Sequence, residues 1–217
     1  VLHVNQCNKE ALFLFKKRYD STMNYLAHLH LAFRAKSSLL GNMMADYIKG
    51  TPSNDYSQAV IDGIRMHRRI DVLTDTHPLV KQARLLFPNE YRRVAPITLD
   101  IFWDHFLSLH WDKFEPDIPL LEFVTYVRNT IEPDLWRTPE KFQELNEYLW
   151  PQAWLTRYAD KTYIAQTLKG MAKRRPRLSA LAGSYIALET HYKELSEIFW
   201  QFYPQLLERA QHHQLDD

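Results

Sequence analysis

The sequence predicts an all-α fold, a single-domain helical bundle, on three observations. Five glycines stand against 6 Trp, 12 Tyr and 11 Phe in 217 residues, which favours long elements joined by few tight turns and packed through aromatic side chains. Hydrophobic residues make up 46% of the chain, ample for one buried core. Apolar residues also recur at helical spacing in successive segments, taken in order below.

Composition narrows the function classes before any motif is considered. A formal net charge of +1 predicts no global attraction to nucleic acid, so local patches must select any charged partner. The single cysteine, Cys7, cannot form an intramolecular disulfide, and a cytoplasmic location is the default. No run approaches the roughly 18 consecutive apolar residues that span a bilayer, so no membrane insertion is expected. Residues 1–22 carry scattered charges without a sustained period and are expected to be a dispensable extension to a domain spanning 23–217. The apolar run from Ala11 to Phe15 is too short for a signal-peptide core.

Met23 to Leu31 is apolar nearly all round, as expected of a segment covered by its neighbours. His28 and His30 interrupt it and point roughly 200° apart on a helix, so at most one is expected to reach a given site. Ser37 or Ser38 can cap a second helix through Leu39, Leu40, Met43, Met44 and Tyr47, ending near Gly50 ahead of Thr51-Pro52. Asp46 sits among these apolar residues and, if buried, must be paired or ligated. Asn42 lies one turn earlier on the same side. After the polar connection Asn54 to Ser57, residues Ala59, Val60, Gly63, Ile64, Met66, Ile70 and Leu73 carry a third helix. Along it His67, Asp71 and Asp75 fall at i, i+4 and i+8, stacking an imidazole and two carboxylates: a metal-ligand face or a salt-bridge ladder. Arg68 and Arg69 could bring positive charge to an anionic substrate or pair with those aspartates. Pro78 closes the segment.

A fourth helix, Leu79 to Phe87, ends before Pro88, and Tyr91 to Pro96 reads as a basic loop containing Arg92 and Arg93. Thr98 is the expected N-cap of Leu99 to His110. Within that helix Asp104 and His105 stand among Ile101, Phe102, Trp103, Phe106 and Leu107, a placement that points to chemistry. Asp100, in the first turn, could simply offset the helix dipole. Pro116, Pro119 and Pro133 punctuate the middle of the chain, with helices expected over Leu120 to Thr130, Pro139 to Tyr148 and Trp154 to Tyr158. Between Lys161 and Leu188 lie Lys161, Lys169, Lys173, Arg174, Arg175 and Arg177 and no acidic residue. That patch is a docking site for an acidic partner or a solvated basic helix end. Leu188, Tyr192, Leu195, Phe199, Phe202 and Leu206 alternate steps of four and three, a seam expected to pack within the chain, with Pro204 interrupting the helix. His212 and His213 lie in a polar tail and receive no role.

The chain has no glycine-rich phosphate loop, paired-cysteine zinc signature, Gly-x-Ser-x-Gly elbow or nucleic-acid-binding motif. It does offer His28, Asp46, His67, Asp71, Asp104 and His105 on separated helices. That mixed nitrogen and oxygen set suits Mn²⁺, Fe²⁺, Zn²⁺ or Mg²⁺, and converging helices can build such a centre. A metal held there could activate water and polarise a phosphoryl oxygen, with Arg68 or Arg69 stabilising added negative charge.

Several ordered motifs carry a resemblance to a known family. They are Met-Asn-Tyr-Leu-Ala-His-Leu-His-Leu-Ala from Met23, Gly-Asn-Met-Met-Ala-Asp-Tyr-Ile-Lys-Gly from Gly41, His-Arg-Arg-Ile-Asp-Val-Leu-Thr-Asp from His67 and Asp-Ile-Phe-Trp-Asp-His-Phe-Leu from Asp100. Asn146 to Trp150, Gly170 to Ala172 with Arg174 to Arg177, and Phe199 to Pro204 continue the series. From Met23 to about Arg209 the chain resembles the bacterial acyl carrier protein phosphodiesterase family.

The resemblance implies an HD phosphohydrolase-like helical fold and hydrolysis of the phosphodiester that joins 4'-phosphopantetheine to holo-acyl carrier protein. The products would be apo-acyl carrier protein and free 4'-phosphopantetheine. It implies a divalent metal, Mn²⁺ ahead of Mg²⁺ or Fe²⁺, held by His28, Asp46, His67, Asp71, Asp104 and His105. Asp104, His105, Arg68 and Arg69 would act in the chemistry, with Asn42, Asp75 and Asp100 supporting the ligands. Arg92, Arg93, Lys169, Lys173, Arg174, Arg175 and Arg177 would dock the acidic carrier. The HD signature is absent as an adjacent His-Asp pair; the order here is Asp104-His105, with Asp71 four residues after His67. Two other functions fit the residues alone: a metal phosphohydrolase of a nucleotide or small phosphoester, and a non-catalytic helical adaptor for an acidic protein. The sequence sets no oligomeric state.

Overall fold

The apolar run after Met23 forms α1 (Tyr25–Arg34), buried from Tyr25 through Ala32. The computed structural model describes residues 25–215, so the expected extension over 1–22 lies outside the described residues. α1 is central, packed against α2 (Leu39–Met44), α3 (Gln58–Thr76), α5 (Ala95–Leu109) and α13 (Tyr192–Gln211). An amphipathic stripe would not serve a helix with neighbours on so many sides, and this explains its nearly all-round apolarity.

Ser38 caps α2 by accepting from the Gly41 amide at 3.1 Å, and Ser57 caps α3 by accepting from Val60. Between them the chain makes a 3-10 turn, Ala45–Tyr47, that carries Asp46. α2 and α3 meet backbone to backbone at Gly41 and Gly63: a Cβ on Gly41 would overlap the Val60 carbonyl, and one on Gly63 would lie 2.9 Å from that of Ser38. Glycine is required there because no side chain fits between the helices.

α4 (Pro78–Leu85) starts on a proline, with the His77 ring accepting from the Leu79 amide at 3.2 Å. After a 3-10 turn, Asn89–Tyr91, α5 begins at Ala95, three residues before the expected cap. Pro96 sits in its first turn, where a missing N–H costs nothing, so the expected basic loop is shorter than its sequence suggests. Thr98 is buried within α5 and its hydroxyl meets the Val94 carbonyl at 3.0 Å and Ser184 Oγ at 2.8 Å.

The remaining elements are α6 (Trp111–Phe114), α7 (Leu120–Ile131), a 3-10 segment Glu132–Arg137, α8 (Glu140–Leu149), α9 (Trp154–Arg157), α10 (Lys161–Arg174), a 3-10 turn Pro176–Leu178, α11 (Leu181–Ser184) and α12 (Ile186–Thr190). The seam from Leu188 to Leu206 packs inside the molecule: Leu195, Phe199, Phe202 and Leu206 are all buried. Contrary to expectation the helix is broken near His191, and Pro204 lies within α13. One hydrophobic cluster runs from Tyr25 to Leu215. The described residues are all-α, without a strand, and none of their helices is long and apolar enough to cross a membrane.

Candidate metal centre

Three consecutive segments bring donors together: His28 from α1, Asp46 from the 3-10 turn, and His67 with Asp71 one turn apart on α3. His28 Nε2 lies 3.2 Å from Asp71 Oδ1. His67 Nε2 lies 3.4 Å from both Asp71 Oδ2 and Asp46 Oδ1. The two imidazoles stack with centroids 3.9 Å apart. Donor atoms of His28, His67 and Asp71 all fall within 4.8 Å of one another. Both rings are buried, whereas the Asp71 side chain is 46% exposed, so the cluster meets solvent on its carboxylate side.

Burial and the charge of His67 hold His28 below its ordinary pKa, against the pull of Asp71. Burial also opposes a charge on His67, but its hydrogen bonds to Asp46 and Asp71, with their charges, lift it to about 9. Burial would raise Asp71; its contacts with His28 and His67 outweigh that and hold it well below the usual carboxylate range. Positive charge is therefore favoured between these carboxylates. His28 Nε2 faces Asp71 without the alignment of a hydrogen bond, and both its ring nitrogens and His67 Nδ1 are buried without a hydrogen-bond partner among the described residues. Two imidazoles and the Asp71 carboxylate around one point, with Asp46 against His67, are a donor set for a divalent transition metal, and the residues fit such an ion.

A cavity of about 190 Å³ opens beside Asp71, lined also by Thr74, Asp75, Pro96, Ile97 and Asp100. Pro96 and Ile97 line it without charge or telling spacing, and no pattern along the chain marks them. Asp100 is half-buried; burial first, then the charges of Asp71, Asp75, Asp104 and Asp46, push its carboxyl well above the ordinary range. Asp75 pairs with Arg84 at 2.5 Å. Asn42 donates to Ser37 Oγ and to the Ser38 carbonyl, holding the start of α2 rather than a ligand.

The structure directs the Asp104-His105 pair elsewhere. Asp104 is fully buried and spends both oxygens on the α1 amino terminus, accepting from the Leu26 amide at 3.0 Å and the Ala27 amide at 2.8 Å. Helix amino termini leave amides that need such acceptors. Burial pushes its carboxyl up to about 8, against the pull of those two amides. His105 meets the Tyr158 carbonyl at 2.8 Å and the Tyr192 hydroxyl at 3.1 Å. Both side chains hold helices together. His30 points away from His28, meeting the Tyr203 hydroxyl and Glu115 Oε1, each at 2.7 Å.

Arg68 is likewise committed, donating to the carbonyls of Ile48 and Gly50 at 2.7 Å each. Arg69 lies roughly 200° around α3 from His67, turned from the cluster. Lys169, Lys173, Arg177, Arg92 and Arg93 are exposed, while Arg174 and Arg175 are half-buried. Burial, then the charge of Arg175, lowers Arg174 to about 10. Tyr91 packs over Gly183 of α11, setting Arg92 and Arg93 on a segment next to the one that follows the basic end of α10.

Fold and centre together define an all-helical protein in which converging helices build a His/Asp site able to hold a metal ion. A family model described as acyl carrier protein phosphodiesterase matches residues 23–206. Relatives of that name include one from Photorhabdus laumondii, 64% identical over 189 residues, covering 87% of this chain and 96% of the relative. Another, from Yersinia enterocolitica, is 56% identical over 193 residues, covering 89% of this chain and all of the relative. A third, from Escherichia coli O6:H1, is 54% identical over 188 residues, covering 87% and 97%. No solved structure matches the chain. The chain belongs to the acyl carrier protein phosphodiesterase family.

Proposed function

We propose that this protein is a metal-dependent phosphodiesterase that removes 4'-phosphopantetheine from holo-acyl carrier protein, giving apo-acyl carrier protein and 4'-phosphopantetheine. The observation that carries the reading is the convergence of His28, His67 and Asp71 within 4.8 Å in a chain of this family. His28, His67, Asp71 and Asp46 would hold the ion. Mn²⁺ suits the mixed imidazole and carboxylate set. Bound there, a divalent cation supplies Lewis acidity toward a phosphoryl oxygen and lowers the pKa of water.

The chain's own residues supply the surroundings. The buried rings fix the inner wall, and the exposed edge of Asp71 opens onto the cavity, where a phosphodiester can reach it. Asp100 lines the same cavity; burial, then its acidic neighbours, push its carboxyl up, which favours a role as proton donor to an oxygen placed there. Arg92, Arg93, Lys169, Lys173 and Arg177 offer exposed positive charge to an acidic carrier. The working unit in this reading is 23–217, an HD-like helical domain, with 1–22 an extension to it.

The test is mass spectrometry of holo-acyl carrier protein incubated with purified protein and Mn²⁺, alongside metal analysis. The carrier mass should fall by the phosphopantetheine group, and His67→Ala or Asp71→Asn should remove both metal uptake and at least ~100-fold of the rate. An unchanged carrier mass with metal bound and the fold intact would defeat the reading. Faster turnover of a free nucleotide or small phosphoester would move the substrate class.

A further inference from the structure

The arginine next to His67 has a duty that its neighbourhood alone does not suggest. Arg68 lies on α3, one residue after His67, and its guanidinium reaches back across 18 to 20 residues of chain to two carbonyls. Nη1 donates to Gly50 and Nη2 to Ile48, both at 2.7 Å, the short end for such bonds. Those carbonyls belong to the stretch directly after the 3-10 turn that carries Asp46. Gly50 has φ +68°, a left-handed conformation that side chains resist. A planar fork with parallel donors can hold both carbonyls at once, which an ammonium on a flexible stem cannot do with the same geometry.

We infer that Arg68 is a positioning residue: its fork ties the segment behind Asp46 to the helix carrying His67 and Asp71, and so sets the separation of Asp46 from His67. With Nη1 and Nη2 each donating to a carbonyl, the fork thus serves the backbone rather than the substrate phosphate. The inference rests on the metal centre proposed above. Asp46 is the middle residue of that three-residue turn, its side chain 20% exposed and 3.4 Å from His67 Nε2, and it stays beside the His28, His67 and Asp71 cluster only while the turn is held against α3.

The test compares wild type with Arg68→Lys, which keeps the charge and loses the fork, and Arg68→Ala, which loses both. Two measurements are made: Mn²⁺ titration by calorimetry, and amide hydrogen exchange of the metal-free proteins over residues 45–51. A clamp predicts Mn²⁺ affinity lowered about tenfold or more in both variants and faster exchange confined to 45–51. It also predicts that lysine fails to rescue and that the KM for holo-carrier protein at saturating metal stays within about twofold. Wild-type Mn²⁺ affinity in both variants, or a KM raised tenfold at saturating metal, would overturn the inference, the second returning Arg68 to the phosphate. If Arg68→Ala does not fold, Arg68→Lys carries the comparison. Should wild type itself take up no divalent ion, the metal reading fails on its own account; unchanged exchange over 45–51 would then also dismiss the clamp.

Discussion

Asp104, buried among the aromatics of α5, gives both carboxylate oxygens to the Leu26 and Ala27 amides at the start of α1. No spacing within one helix can reveal an acceptor whose donors lie 77 and 78 residues away. Asp104→Ala leaves those amides buried without acceptors, and a destabilisation of about 2–4 kcal/mol is expected by denaturant unfolding. The carboxyl titrates at about 8 in the folded protein and about 4 in the unfolded chain. Between those values the folded state binds the extra proton, so the stability from this group falls as pH rises from about 4 to about 8. Wild type should therefore lose stability relative to Asp104→Asn across that window, and a flat difference would contradict the raised pKa. His67 and Asp71, by contrast, were legible as a pair because four residues on one helix is a local rule.

Between elements, the deciding contact is the glycine crossing of α2 and α3. Gly41→Ala puts a methyl group into the Val60 carbonyl, a backbone atom that cannot swing away as a side chain tip could. The helices must separate, at a cost of about 1–3 kcal/mol. Asp46 follows α2 directly and His67 rides on α3, so the same substitution should weaken Mn²⁺ uptake. Retained affinity with lowered melting temperature would show that the turn moves independently of the crossing. The capped start of α2 followed from the Ser37-Ser38 pair, of which Ser38 caps, whereas Ser57 reads in the sequence only as the end of a polar connection. The earlier start of α5 and the continuity of α13 did not follow from the sequence either, because a proline is read as a breaker unless its neighbours show that it sits in a first turn or inside a helix that packing holds together.

At the scale of the molecule, an all-α fold with one core was legible from low glycine, abundant aromatics and helical spacing, while the short 3-10 pieces carry too few residues to show a period. The charged face makes its own prediction. Lys173→Glu with Arg177→Glu, both exposed, should raise the KM for holo-carrier protein about tenfold with kcat changed less, and added salt should raise the wild-type KM in the same direction. An unaltered KM would place carrier docking elsewhere. The donors of the centre all lie between residues 28 and 71, while the helices from α5 onward supply the cap of α1, one wall of the cavity and most of the basic face. This division makes the early segments a unit whose closure an ion can reinforce: at free metal 100 times its Kd, the gain is about 2.7 kcal/mol. Chelation should thus appear first as susceptibility to proteolysis in the exposed stretch 53–55 between α2 and α3, before any loss of overall helicity. Equal cutting there with and without metal would mean that the ion leaves local opening untouched.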